Sequence, residues 1–136
     1  MLVIDASVTM AWCFQDEETQ AARDLLRSTS ESGAHVPSLW WHEVANVLHV
    51  ATRRGRMPVE IMREKIQMLN TLPLIHHPAD RDRVFGSLIA LARAQDLTVY
   101  DASYLDLAML LRVKLATRDK ALAAAAVRTG VELVPC

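Results

Sequence analysis

Cysteine is scarce in this chain, and the two present, Cys13 and Cys136, stand far apart and form no C-x-x-C pair. That argues against a disulfide scaffold and suits a reducing compartment. Glycine is nearly as sparse: the four glycines build neither G-x-G-x-x-G nor a Walker loop. Dinucleotide and P-loop nucleotide sites therefore lack their phosphate cradle. No apolar run approaches the roughly 18 residues a membrane span requires. The N-terminus also lacks the basic segment and long apolar region of a secretory signal, so the expected placement is cytoplasmic, with no membrane partner. Charge of one sign is missing too. Fifteen basic against 16 acidic residues leave a net of -1, which argues against holding nucleic acid nonspecifically and makes any such contact a local one. There is no internal repeat and no low-complexity tail.

What the chain does have is apolar residues, 51% of 136, enough for one sizeable core and one domain spanning residues 1–136. Short runs rich in Val, Ile and Leu, "LVID", "AHVP", "PLIHH", "VKLAT" and "VELVP", alternate with helical stretches. The helices are expected at about 16–30, 39–54, 58–72, 80–94, 101–111 and 119–128. This rhythm predicts an α/β fold, a three-layer α/β/α sandwich around a central parallel sheet of about five short strands.

The opening "MLVIDASVTM" places Asp5 directly after a run without alternation, the pattern of a strand covered on both faces. The carboxyl ends of such strands border the crevice where open α/β sheets bind ligands. Asp5 also suits the N-cap of the helix that follows. "VKLATRDKAL" repeats the pattern with Asp119; "LTVYDASYLDLAMLL" and "PSLWWHEVANVLHVA" place Asp101 and Glu43 near the starts of apolar helices. Glu43 lies at the edge of the stripe Val44, Val47, Leu48 and Ala51, and Asn46 lies about 60° round the helix from it. Each acid has a plain alternative as a cap or first-turn residue, stabilising by up to ~1 kcal/mol. If they converge, repulsion raises some of their pKa values unless a cation sits between them, and a hard divalent ion held by oxygens is the natural neutraliser.

Rival sites are poorer. Ser7 has no G-x-S-x-G elbow around it. His76 and His77 have no cysteine or third histidine at metal spacing and read as a surface turn. His35, His42 and His49 read as polar edge residues, Trp40 and Trp41 as core and interface packing, and the methionines as gap fillers. Asp106, about 140° from Asp101 on the helix, reads as solvent-facing or a partner contact. Arg53, Arg54 and Arg56 cluster where a basic helix end complements the dipole. Arg53 and Arg54 also read as a local contact for a phosphate or an acidic partner, and Arg118, beside Asp119, as a phosphate contact at the site rim or a solvent-facing base.

"LVIDAS", "WHEVANVL", "YDASYLDLA" and "LATRDKAL" stand in the order and approximate spacing of the PIN domain. The whole chain resembles the small VapC-type ribonuclease toxins of toxin–antitoxin pairs. The resemblance implies that Asp5, Glu43, Asp101 and Asp119 form an acidic quartet holding Mg²⁺ or Mn²⁺. Ser7 and Thr117 would be polar support and Asn46 a secondary contact. It implies a metal-dependent endoribonuclease with Asp5, Asp101 and Asp119 as main ligands, Glu43 binding through water or orienting the attacking water, and single-stranded or looped RNA as substrate. It also implies a homodimer and a cognate antitoxin lying across the crevice. Asp106 and Arg118 depart from the family pattern without removing a ligand.

The alternative is an interaction or regulatory domain, either a catalytically silent PIN-like fold or a receiver-like one. The receiver reading lacks its acceptor Asp in "PLIHHPAD" and its Lys in "ELVPC". A covalent-aspartate phosphatase would want a second acid at position 7, which is Ser.

Overall fold

Val3 and Ile4 lose all their accessible surface, as a strand covered on both faces must. They form β1 (Val3–Ile4) in a computed structural model that describes residues 1–136. β1 pairs in parallel with β2 (Ala34–Pro37) on one side and with β4 (Leu115–Ala116) on the other, while β3 (Leu74–His77) pairs with β2 and forms an edge. The resulting four-stranded order is β3-β2-β1-β4, flanked by helices as an α/β/α sandwich. The expected fifth strand is smaller than foreseen. "VELVP" contributes one parallel bridge, Leu115 with Leu133, made by Leu115 N–H to Glu132 C=O and Val134 N–H to Leu115 C=O, both 2.9 Å. The pairing goes no further than this bridge.

The register sets the site. Ile4 lies opposite Ala116, so β1 and β4 end level, and the Asp5 N–H donates to the Ala116 carbonyl at 3.2 Å. Asp5 and Thr117 therefore leave the sheet side by side.

Asp5 caps α1 (Ala6–Cys13), its Oδ1 accepting from Val8 N–H at 3.1 Å. The helix expected at 16–30 starts later, as α2 (Gln20–Ser32), because Thr19 caps it and Gln15–Glu17 form a separate 3-10 turn. Gly33 ends α2 with φ +80, and a Cβ there would stand 2.6 Å from the Pro73 carbonyl oxygen, so only glycine fits. α3 (Leu39–Arg53) and α4 (Val59–Asn70) follow the expected spans. The helix expected at 80–94 is α5 (Arg81–Arg83), a π-helical stretch at Val84–Leu88 and α6 (Ile89–Gln95) in succession. α7 (Val99–Leu111) begins two residues before Asp101, capped by Thr98, and α8 (Lys120–Arg128) is capped by Asp119.

The core runs through the sheet and the inner helix faces, with Leu48, Leu105, Leu115 and Leu122 among its fully buried side chains. Each contributes about 1.5–3 kcal/mol of burial. Trp40 is in that core, its indole N–H donating to Thr9 Oγ1 at 3.2 Å. Trp41 lies at the surface, edge-on to Trp40 and His76. No helix is long and apolar enough to cross a membrane.

Candidate active site

Asp5 is only 3% exposed, and both its carboxylate oxygens are held. Oδ1 accepts from the Ser7 hydroxyl at 2.6 Å and from Val8 N–H, and Oδ2 accepts from the Thr117 hydroxyl. Burial pushes its pKa above the usual carboxylate value, against the pull of the Ser7, Thr117 and Val8 bonds. The support is a closed ring. Ser7 Oγ accepts from Arg118 N–H at 2.8 Å, and Thr117 Oγ1 accepts from Asp119 N–H at 3.0 Å. The first turn of α1 and the β4–α8 loop are thus stitched together through two hydroxyls around one buried acid.

Asp119 is both a cap and a member of this ring: its Oδ1 accepts from Leu122 N–H at 2.8 Å, and Oδ2 takes no protein hydrogen bond. Asp101 sits in the first turn of α7, its N–H bonded to Thr98 Oγ1 at 3.0 Å. Its pKa is raised to about 6, first by burial and then by the charges of Asp119, Glu43 and Asp5. Glu43 lies in the second turn of α3, where the Tyr104 hydroxyl donates to its Oε1 at 2.5 Å. Burial raises the Glu43 pKa, the Tyr104 bond opposes that, and the charge of Asp5 adds to it. The four acids expected to share one end of the sheet do share it, and their repulsion is felt most at Asp101.

The donor set is all oxygen, four carboxylates beside two hydroxyls. That chemistry fits Mg²⁺ or Mn²⁺, which keep several waters and take few carboxylates directly. No group of three or more His, Cys, Asp or Glu side chains is close enough to chelate one ion.

Other expected residues fall differently. Asn46 is exposed and makes no side-chain hydrogen bond to Glu43. Arg53 and Arg54 are exposed at the end of α3. Arg118 is tied down, its guanidinium donating to the Glu17 carbonyl at 2.8 Å. Arg56 bridges Asp16 and Glu17 and covers the Phe14 ring at 3.7 Å. Asp106 is not a free solvent-facing acid. Arg83 donates to both its oxygens, at 2.7 and 2.9 Å, and the carboxylate is mostly covered. His77 pairs with His35 at 2.9 Å, where burial and His77 hold the His35 pKa low. Both cysteines are free, Cys136 donating its thiol to the Thr117 carbonyl at 3.3 Å.

Tyr104 is the site residue that sequence reasoning passed over. It is 1% exposed, so its apolar surroundings hide a polar task. The signal was its place three residues after Asp101 on α7, which sets both on one helix face.

The PIN domain family model matches residues 2–128. A ribonuclease of Pyrobaculum aerophilum, VapC3, is 32% identical over 126 residues, 90% of this chain and 92% of that protein. The fold is similar to the crystal structure of PAE2754 from Pyrobaculum aerophilum, with TM-score 0.72 and 22% identity over 98% of this chain and 83% of the other. It is also similar to a toxin–antitoxin complex from Klebsiella pneumoniae, with TM-score 0.60 and 18% identity over 88% and 87% of the two chains. With a matching family model along nearly its whole length and four acids gathered where two parallel strands end, the chain belongs to the PIN domain family.

Proposed function

We propose that the protein is a metal-dependent endoribonuclease of the VapC type, a toxin held inactive by a cognate antitoxin. The observation that carries the reading is the convergence of Asp5, Glu43, Asp101 and Asp119: burial first, and then the charges of Asp119, Glu43 and Asp5, raise the Asp101 pKa to about 6. A cluster that suppresses its own ionisation is built for a cation. The similarity to a VapC ribonuclease and to a toxin–antitoxin complex supports the same reading.

Asp5, Asp101 and Asp119 would hold Mg²⁺ or Mn²⁺. Such an ion, when bound, neutralises charge on the phosphate and the leaving oxygen and makes water easier to deprotonate. The chain's own contribution is placement. Ser7 and Thr117 hold Asp5 rigid, α8 holds Asp119 through its first free N–H groups, and Glu43 keeps Oε2 available to orient the attacking water. Single-stranded or looped RNA is the proposed substrate, because its backbone enters a cleft that excludes a duplex. Arg53 and Arg54 would supply local phosphate contacts outside the acidic centre. A homodimer, an antitoxin tail across the acids and a cytoplasmic setting complete the proposal.

The test is cleavage of total cellular RNA by purified, antitoxin-free protein with Mg²⁺ or Mn²⁺, with chelator, and with Asp5→Asn alongside. Metal-dependent cleavage lost in a folded Asp5→Asn protein supports the reading. Full activity in that variant, or in chelator, overturns it.

A further inference from the structure

The four acids are not held alike. Asp5 and Asp119 cap α1 and α8 and accept from N–H groups of their own helices. Asp101 sits at the N-terminal end of α7. Glu43 has no such help. It lies in the second turn of α3, where backbone N–H groups are already committed to the helix. It also carries one more rotatable bond than aspartate, so nothing in its own helix fixes the carboxylate. Its one protein donor comes from another element, the Tyr104 hydroxyl on α7.

A phenol has a single proton to donate. Tyr104 is almost fully buried and spends that proton on Oε1 at 2.5 Å, which leaves Oε2 as the oxygen of Glu43 free to act. α7 therefore carries two parts of the site on one face, Asp101 directly and Glu43 through Tyr104 three residues on.

We infer that Tyr104 is a positioning residue: its buried hydroxyl locks the Glu43 carboxylate in one orientation, so that Glu43 serves the divalent ion and the reacting water through a single oxygen. This rests on the nuclease reading above. It separates Tyr104 from the core residues around it, whose loss would lower stability without selectively weakening the acidic site.

The experiment is a double-mutant cycle between Tyr104→Phe and Glu43→Gln, read by the affinity for Mn²⁺ alone and by RNA cleavage, with circular dichroism and melting of the metal-free proteins as fold controls. Tyr104→Phe is expected to weaken Mn²⁺ binding about three- to tenfold and to lower kcat about tenfold with KM within twofold. The double variant is expected to be no worse than Glu43→Gln, because coupled residues are not additive. Glu43→Asp keeps the charge, falls one methylene short of the phenol, and reproduces the Tyr104→Phe loss even if that variant folds poorly.

Mn²⁺ affinity within twofold of wild type in folded Tyr104→Phe, or losses that multiply in the double variant, overturns the inference. Wild-type protein that binds Mn²⁺ and shows the coupling but cleaves no RNA overturns the nuclease reading and leaves the positioning role standing. Wild-type protein that binds no Mn²⁺ overturns the positioning role.

Discussion

Thr117 donates its hydroxyl proton to Asp5 across 112 residues of sequence. The bond satisfies the Asp5 oxygen that Ser7 and Val8 do not reach. Thr117→Val keeps the shape and removes the donor, leaving a buried carboxylate oxygen unpaired at a cost of about 1–3 kcal/mol. Urea unfolding of the metal-free proteins measures it, and a loss below about 0.5 kcal/mol would mean that water replaces the hydroxyl without penalty.

The acidic cluster makes the metal-free protein less stable as pH rises. Asp101 has a folded-state pKa of about 6 against about 3.9 when unfolded, so between these values the folded state binds more protons. Its stabilising contribution is complete below about pH 4 and is lost as pH rises through about 6. Asp101→Asn removes the titrating group. Its urea midpoint is expected to exceed that of wild type at pH 7 without metal and to converge with it near pH 4. A variant less stable than wild type at pH 7 would show that the repulsion is already relieved in the folded protein.

A divalent ion should act on the same charges with the opposite sign. At a concentration about 100 times its Kd, binding adds about 2.7 kcal/mol, several degrees in Tm for a domain of this size. Scanning calorimetry with Mn²⁺ is expected to show that rise at pH 7.5. It is expected to shrink at pH 5, where protons compete for Asp101, and in Asp101→Asn. Equal shifts at both pH values would place the ion elsewhere on the protein.

Arg53 and Arg54 should act through phosphate and nothing else. Replacing either with Ala is expected to flatten the dependence of RNA affinity on log salt concentration by about 0.7 per arginine, uniformly across sequences. Arg118→Ala is expected to behave differently, because its guanidinium holds the Glu17 carbonyl. Its main effect should be on Tm. Filter binding at several salt concentrations separates the two kinds of arginine, and an unchanged slope in both Arg53→Ala and Arg54→Ala would remove α3 from the RNA path.

The parts legible in the sequence were those written in local pattern. Apolar runs ending in an acid marked β1 and β4, and the caps at Asp5 and Asp119 followed from side-chain chemistry alone. Longer-range partnerships were not legible. Asp106 reads as solvent-facing or a partner contact because Arg83, which binds it, lies 23 residues away, and Tyr104 draws no notice because its hydroxyl meets Glu43 across 61 residues. α1 is nearly all apolar, so it has no polar face to give a helical period. The last strand is shorter than its composition suggests, because Val and Leu content does not show how far the pairing runs, and only Leu133 bridges to β4.

The ring through Asp5, Ser7, Thr117 and Arg118 joins the first residues of the chain to some of the last. During synthesis, Asp5, Glu43 and Asp101 all exist long before the loop that completes the ring. A growing polypeptide that stops short of β4 thus carries three of the acids without the clasp that orders them. The ordering of Asp5 by Thr117 and Arg118 therefore waits on residues 117–119 and on β4 pairing with β1.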